Sequence, residues 1–465
     1  MILLLGLTSA KTWQVPAEQS LEGACGLAGS GDTIEITGDQ PIDEWCLLLA
    51  PDITVTGVGS RPALATIAGT NVTASNLTIH GTFENGAQAV LSGVSRLDNV
   101  TIDGSTVGGE YLTGLYAEDT DLTLTGMRFT GHSGVSLHVS SKTSGHTLDI
   151  EDAEFFGNAT SGYFEGIDAL AVTIRDARVT GNGTDSSGTG GFVVTGNTNL
   201  SISDSLFQGN DAGVGNSLYI LGSNKVTVQD TAFIENRSGP VVIASRVPEL
   251  TFERTRFCLN NAPAGNGPSG LLWADQSGLL VSRSVFQSNT GGVETATVLV
   301  EAADNADLIN NTFVANQMDL GAVLATGELK LVNNLFDGPG EGLTGAGQDV
   351  PLAGGYNAWS AIEAFMQPTD LFLEDVAYEG FDFEDCASLP IPVSDSPLVD
   401  AGHPDTKDDD GSPTDIGAYA ANWTEGGDTG LSSFEAGPRS GGCSHAPASG
   451  LLVSLLLVAR RRSRA

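Results

Sequence analysis

The stretch at residues 201–213, SISDSLFQGNDAG, is written again as TVQDTAFIENRSG at 227–239 and as LVSRSVFQSNTGG at 280–292. Each copy carries spaced apolar residues, a polar residue, a Phe and, three positions after the Phe, an Asn. With the Phe as position zero, the repeat runs through Ile79, Ile102, Phe129, Phe155, Val179, Phe207, Phe233, Phe257, Phe286, Phe313 and Phe336, at spacings of 23 to 29 residues. Apolar residues stand seven and five positions earlier, as Leu200 with Ile202 and Val226 with Val228. Apolar residues two apart show one strand face inward. Small residues at minus two (Ala153, Ala177, Ser205, Thr231, Ser284) put that position and the Phe on the inner face of a second short strand.

The inward phase shifts between the two strands, so a corner separates them. Position minus three supplies it: Asn76, Asn99, Gly126, Asp152, Asp176, Asp204, Asp230, Arg254, Arg283, Asn310 and Asn333. Asn, Asp and Gly tolerate the left-handed backbone such a corner needs. The Asn at plus three (Asn158, Asn182, Asn210, Asn236, Asn260, Asn289, Asn316), with His132 in the same place, is expected to turn the chain at a second corner. A third strand follows in VSLHV (135–139), GFVVT (191–195), SLYIL (217–221), PVVIA (240–244) and ATVLV (296–300), and the variable spacing is assigned to loops at the third corner. One such unit cannot bury its inner face alone. Stacked coils pair edge to edge, and like residues form ladders about 4.8 Å apart. The expectation is an all-β parallel β-helix with three short strands per coil of about 26 residues, over 11–340. The pattern resembles the right-handed parallel β-helix family that includes pectate lyases; a β-propeller would need uniform blades of about 40 residues.

Composition agrees. The 465 residues include 60 Gly and only 17% charged side chains, which favours short strands and turns over long helices. With 57 acidic against 20 basic residues the net charge is -37, a field that repels nucleic acid and anionic membranes.

The ends of the chain suggest an address. MILLLGLTSA (1–10) reads as an export signal. The tail GGCSHAPASGLLVSLLLVARRRSRA (441–465) holds Cys443, a short apolar run and Arg460, Arg461, Arg462 and Arg464. Leu451–Ala459 falls well short of the roughly 20 residues that span a bilayer as a helix, and the arginines favour the cytoplasmic side. This tail resembles the MYXO-CTERM sorting tails of myxobacteria. The resemblance implies processing at Cys443 by sorting machinery, display at the cell surface, and membrane contact only through 443–465; a plain tail anchor gives the same address. Residues 422–442 read as the linker before it. Five cysteines suit an oxidising compartment. Cys25 and Cys46 bracket a strand and its return and are a candidate disulfide, while Cys258 and Cys386 either pair or stand as free thiols.

SDSPLVDAGHPDTKDDDGSPTDIGAYA (394–420) resembles the closing motif of bacterial surface β-helix proteins, which implies a capping role for 341–421. Within it Asp400, Asp405, Asp408, Asp410 and Asp415 crowd hard oxygen ligands together, a candidate Ca²⁺ site or simply an exposed acidic turn. The corner column offers a second constellation, since Asp152, Asp176, Asp204 and Asp230 should stack above Arg254. By resemblance to the lyases of this fold, Asp204 and Asp230 would hold Ca²⁺ and Arg254 would act as base; the plainer reading is that Asp and Asn interchange at a corner. The polygalacturonase signatures Asn-Thr-Asp, Gly-His-Gly and Arg-Ile-Lys are absent. The functional expectation is a non-enzymatic secreted or cell-surface β-helix that binds a glycan or a protein partner. The alternative is a polysaccharide lyase or glycoside hydrolase on the same scaffold.

Overall fold

The computed structural model describes residues 10–419, apart from 39–41, 60, 82–85, 106–112, 144, 184–188, 213–216, 264–268, 303–304, 339–341, 346–351, 361–365 and 409–410. One continuous parallel sheet winds through these residues as a β-solenoid. The expected registers are present: Ile174 pairs with Ile202, Ile202 with Val228 and Val228 with Phe252 on the first strand, and Phe207, Phe233, Phe257 and Phe286 follow one another on the second. Among the described residues, helical structure is confined to Leu21–Leu27, capped by Ser20 and buried through Leu21, Ala24 and Cys25. None of the described helices is long and apolar enough to cross a membrane.

The core is a ring stack. Phe207, Phe233, Phe257, Phe286, Phe313 and Phe336 lie nearly parallel with centroids 4.7–5.0 Å apart, and Trp359 extends the stack beyond Phe336. The spacing is that of the strands, so backbone pairing and ring contact reinforce each other. Where the column carries the smaller Val179, Phe192 of the third strand fills the space and meets Phe155 and Phe207 edge-on.

The first corner is as expected: Asp152, Asp176, Asp204, Asp230, Arg254 and Arg283 all have φ between 48° and 54°. The second corner corrects the reading of the Asn column. The left-handed residue there is the one before the Asn, namely Gly157, Gly181, Gly209, Glu235, Leu259, Ser288 and Ala315. The Asn itself points into the core and is at most 3% exposed from Asn158 to Asn316. Asn182 shows the pattern. Its amide donates to Phe155 O and to Asn210 Oδ1, while its own Oδ1 accepts from the backbone and side chain of Asn158. Each amide thereby satisfies its neighbour at 2.8–3.1 Å, and a buried polar column costs little because no donor or acceptor is orphaned. A second column at minus two joins Asn311, Asn334 and Asn357 and ends on Asp370.

His132 closes the first ladder. Its Nδ1 lies 2.8 Å from Asn158 Oδ1 and its Nε2 lies 2.7 Å from the Gln88 side-chain amide. Burial pushes the ring down to about 4, so it is neutral at physiological pH.

One further expectation changes. Loop length varies mainly between the buried Asn and the third strand, as a comparison of 158–162 with 260–272 shows, rather than at the third corner. The segment after the last Phe of the column adds strands at Leu352–Gly355, Ala358–Trp359 and Leu371–Phe372, and then runs back along one flank. The reason is apolar: Leu335 and Ala358 face outward on the second strand, and Val376, Leu398 and Ile416 bury them. Disulfides join Cys25 to Cys46 and Cys258 to Cys386, the second fastening this returning strap. The export signal apart from Ala10, the linker, Asp410, Cys443 and the tail fall outside the described residues.

Phe233 is fully buried between two rings, so Phe233→Ala should cost about 3–5 kcal/mol, whereas Gln229→Ala, on the outer face, should cost under about 0.5 kcal/mol. Denaturant titration of the two variants checks the register. For His132, the unfolded chain takes up a proton that the folded chain refuses between about pH 6.5 and 4, so stability falls as the pH drops through that window, by about 3 kcal/mol at most. His132→Asn should flatten this part of the melting-temperature-versus-pH curve, and an unchanged slope contradicts the assignment.

Candidate functional site

The corner column brings Asp204, Asp230 and Arg254 onto successive coils, as the sequence implies. Arg254 grips Asp230 through Nε and Nη2 at 2.7 and 2.8 Å and also meets Glu253 through Nη1. The Asp230 side chain is only 9% exposed, so its carboxylate is turned to the guanidinium and away from solvent. Further along, burial raises the carboxyl of Asp176, with Asp204, Glu151 and Asp152 adding repulsion. Beside it lies a groove of about 410 Å³ lined by Arg61, Arg128, Arg178, Asp152, Glu154 and Asp176 among others.

The Asp-rich loop is folded by its own carboxylates. Asp415 Oδ1 accepts the Asp400 amide at 2.7 Å, and Asp408 Oδ2 accepts the Asp415 amide at 3.1 Å. Asp405 stands apart, its amide 3.2 Å from His403 Nδ1. Among the described residues no three acidic, His or Cys side chains converge as a metal-binding group.

A different face gathers rings in the open. On the outer side of the third strand, Val90, Tyr116, His138, Tyr163, Val193, Tyr219, Ile243 and Trp273 are successive register partners, each half-buried. Seven steps of about 4.8 Å make this stripe about 34 Å long. His138 stands edge-on between Tyr116 and Tyr163, with centroids 5.1 and 5.0 Å away. Burial lowers the His138 ring below the ordinary imidazole value, and a hydrogen bond to Glu118 holds the Tyr116 phenol above its own. The His138 and Tyr116 rings are therefore uncharged near neutral pH. Two residues further along the strand, Glu118, Glu165, Asp275 and Glu301 form an acidic border; Tyr116 donates to Glu118 at 2.6 Å and Trp273 to Glu301 at 3.0 Å. These bonds fix the ring orientations. Flat apolar rings edged by acceptors suit a ligand with apolar faces and hydroxyl rims.

The profile described as "Right handed beta helix region" matches residues 64–217 and 191–354. The chain belongs to the right-handed β-helix family. Solved structures similar to this β-helix include pectate lyase Pel9A, at 14% identity over 90% of this chain and 98% of that one with a TM-score of 0.26. Another is the alginate lyase AlyF-OU02 in complex with G6, at 10% identity over 80% and 90% of the two chains with a TM-score of 0.36. Likeness this low carries no argument about activity. A comparison with curated proteins found no match.

The ring stripe of this β-helix was not read from the sequence. Loops of unequal length precede the third strand and hide the register, although an aromatic residue next to two inward apolar ones at Tyr116, Tyr163, Tyr219 and Trp273 was the available signal.

The Asp230–Arg254 pair predicts strong coupling. Asp230→Ala should cost about 1–3 kcal/mol by leaving Arg254 facing a partly buried gap, and the Asp230→Ala/Arg254→Ala double variant should cost less than the sum of the two single changes. A double-mutant cycle in denaturant measures the difference, and simple additivity contradicts the pairing.

Proposed function

We propose that this β-helix is an exported, surface-displayed binding protein that holds a neutral glycan along the ring stripe of its third-strand face and does not cleave it. The stripe from Tyr116 to Trp273 carries the reading: Tyr116, His138, Tyr163, Tyr219 and Trp273, interrupted by Val193 and Ile243, offer ring surface along its length to sugar units, and its acidic border accepts hydrogen bonds from their hydroxyls. The net charge of -37 disfavours polyuronates and leaves neutral chains unopposed. Against a lyase role, Arg254, the candidate base, is committed to Asp230 and Glu253. The sorting tail and its processing at Cys443 belong to the same proposal and account for display at the surface.

Titration calorimetry with neutral β-linked and α-linked oligosaccharides, and with polygalacturonate and alginate, tests the reading, each with Ca²⁺ and with a chelator. A neutral oligosaccharide should bind, and Tyr163→Ala should weaken it about tenfold, equivalent to about 1.4 kcal/mol. Release of unsaturated, ultraviolet-absorbing products from either polyuronate, lost in Arg254→Ala, overturns the proposal in favour of a lyase.

A further inference from the structure

Just before the first strand, Thr12–Val15, the chain meets a near-buried carboxylate whose hydrogen-bond partners are all neutral. Asp32 is 9% exposed, and three N–H groups converge on it: the Lys11 amide donates to Oδ1 at 2.7 Å, while Trp13 Nε1 at 3.0 Å and the Gly29 amide at 2.9 Å donate to Oδ2. These bonds, led by that of the Lys11 amide, hold the carboxyl below its ordinary value, so it is ionised at physiological pH. The one cation that acts on it is the Lys11 side-chain ammonium, which is seated on the Trp13 ring 3.1 Å from its centroid. A carboxylate so far removed from solvent is better held by a cation in direct contact.

The contact stands at the boundary where the export signal ends. Pairing of the first two strands begins with Thr12 opposite Thr33, and Thr33 N donates to Lys11 O at 2.9 Å. The Lys11 carbonyl is thereby fixed, its nitrogen lies against Asp32, and the bond to Ala10 falls outside the ladder. Asp32 is fixed as well: its amide donates to Gly29 O and its carbonyl accepts from Thr54 N, each at 3.0 Å. Ala10 and Lys11 are both exposed, so the bond between them is open to an endopeptidase. The sequence before that bond is an apolar run that ends in Thr8, Ser9 and Ala10, small residues of the kind that precede the cut in an export signal.

We infer that the bond between Ala10 and Lys11 is hydrolysed during export and that Asp32 is the socket for the α-ammonium group this cut creates. One water is consumed. Its oxygen leaves on Ala10 as part of a new carboxylate, and both of its protons pass to the Lys11 nitrogen, which becomes an ammonium. The group that donates to Asp32 as a neutral amide then donates from the same place with a full charge, and each of the two groups favours the charged form of the other. The stabilisation this adds is complete below the ordinary titration of an α-amine and is lost as the pH rises through its raised value in the folded protein. Processing thus ties down the first coil of the stack. The inference rests on the export part of the proposed function and is independent of what the ring stripe binds.

N-terminal sequencing and intact mass of the exported protein test the cut, and acylation of the new α-amine, resolved by peptide mass spectrometry, tests the socket. The mature chain should begin at Lys11. At about pH 8, where a free α-amine is half protonated, the Lys11 α-amine should be acylated about tenfold more slowly than in a free peptide of the same sequence. The gap should close by about pH 10, where a group that is merely shielded would stay slow. Asp32→Asn, which keeps the shape of the side chain, should bring the rate at about pH 8 to within about twofold of the free peptide. An exported chain that begins elsewhere, or an α-amine of the unaltered protein that reacts like the free peptide or stays slow at every pH, overturns the inference and leaves the export reading standing. A chain kept inside the cell with residues 1–10 attached overturns both.

Discussion

Everything in this β-helix rests on the hydrogen bond between like residues of successive coils. Parallel pairing sets one repeat distance, and every inward side chain inherits it. The Asn column from Asn158 to Asn316 shows why the constraint is strict. A buried primary amide is tolerable only if both of its donors and its oxygen are matched, and here the matching partner is the identical amide one coil away together with the backbone of the preceding Phe. The column also fixes the neighbouring corner. With the Asn drawn inward, the residue before it must take the left-handed conformation. Glycine does this without strain at 157, 181 and 209, while Glu235, Leu259 and Ala315 accept the strain of about 1–2 kcal/mol because the ladder over-determines their backbone.

The same repeat distance gives each flank its own chemistry. Inward rows become a ring stack and amide ladders. Outward rows become whatever the sequence writes at one offset, repeated along the axis. On the third strand that is a row of rings and aliphatic side chains with a carboxylate border. On the second strand the last coils present Leu335 and Ala358, which the returning strap buries, and that strap is fastened by Cys258–Cys386. At the acidic corner the residues take left-handed turns, and the near-buried carboxylate of Asp230 is paired with Arg254.

What the sequence by itself determined is the part governed by local periodicity. Apolar residues two apart, a Phe at a fixed offset and a corner at minus three are enough to define two strands, their inner faces and the stacking register, because those spacings stay constant from coil to coil. The tertiary structure decided whatever depends on contacts across coils or on loops of unequal length. It turned the Asn from a corner into a rung, since an Asn in a left-handed turn and an Asn beside one look alike until the partner amide is in place. It aligned Tyr116, His138 and Tyr163, whose distances from the preceding column residues Ile102, Phe129 and Phe155 differ. It sent the C-terminal segment back along a flank, and it paired Cys258 with Cys386 across 128 residues, because burial of outward apolar residues is non-directional and leaves no period in the sequence to read.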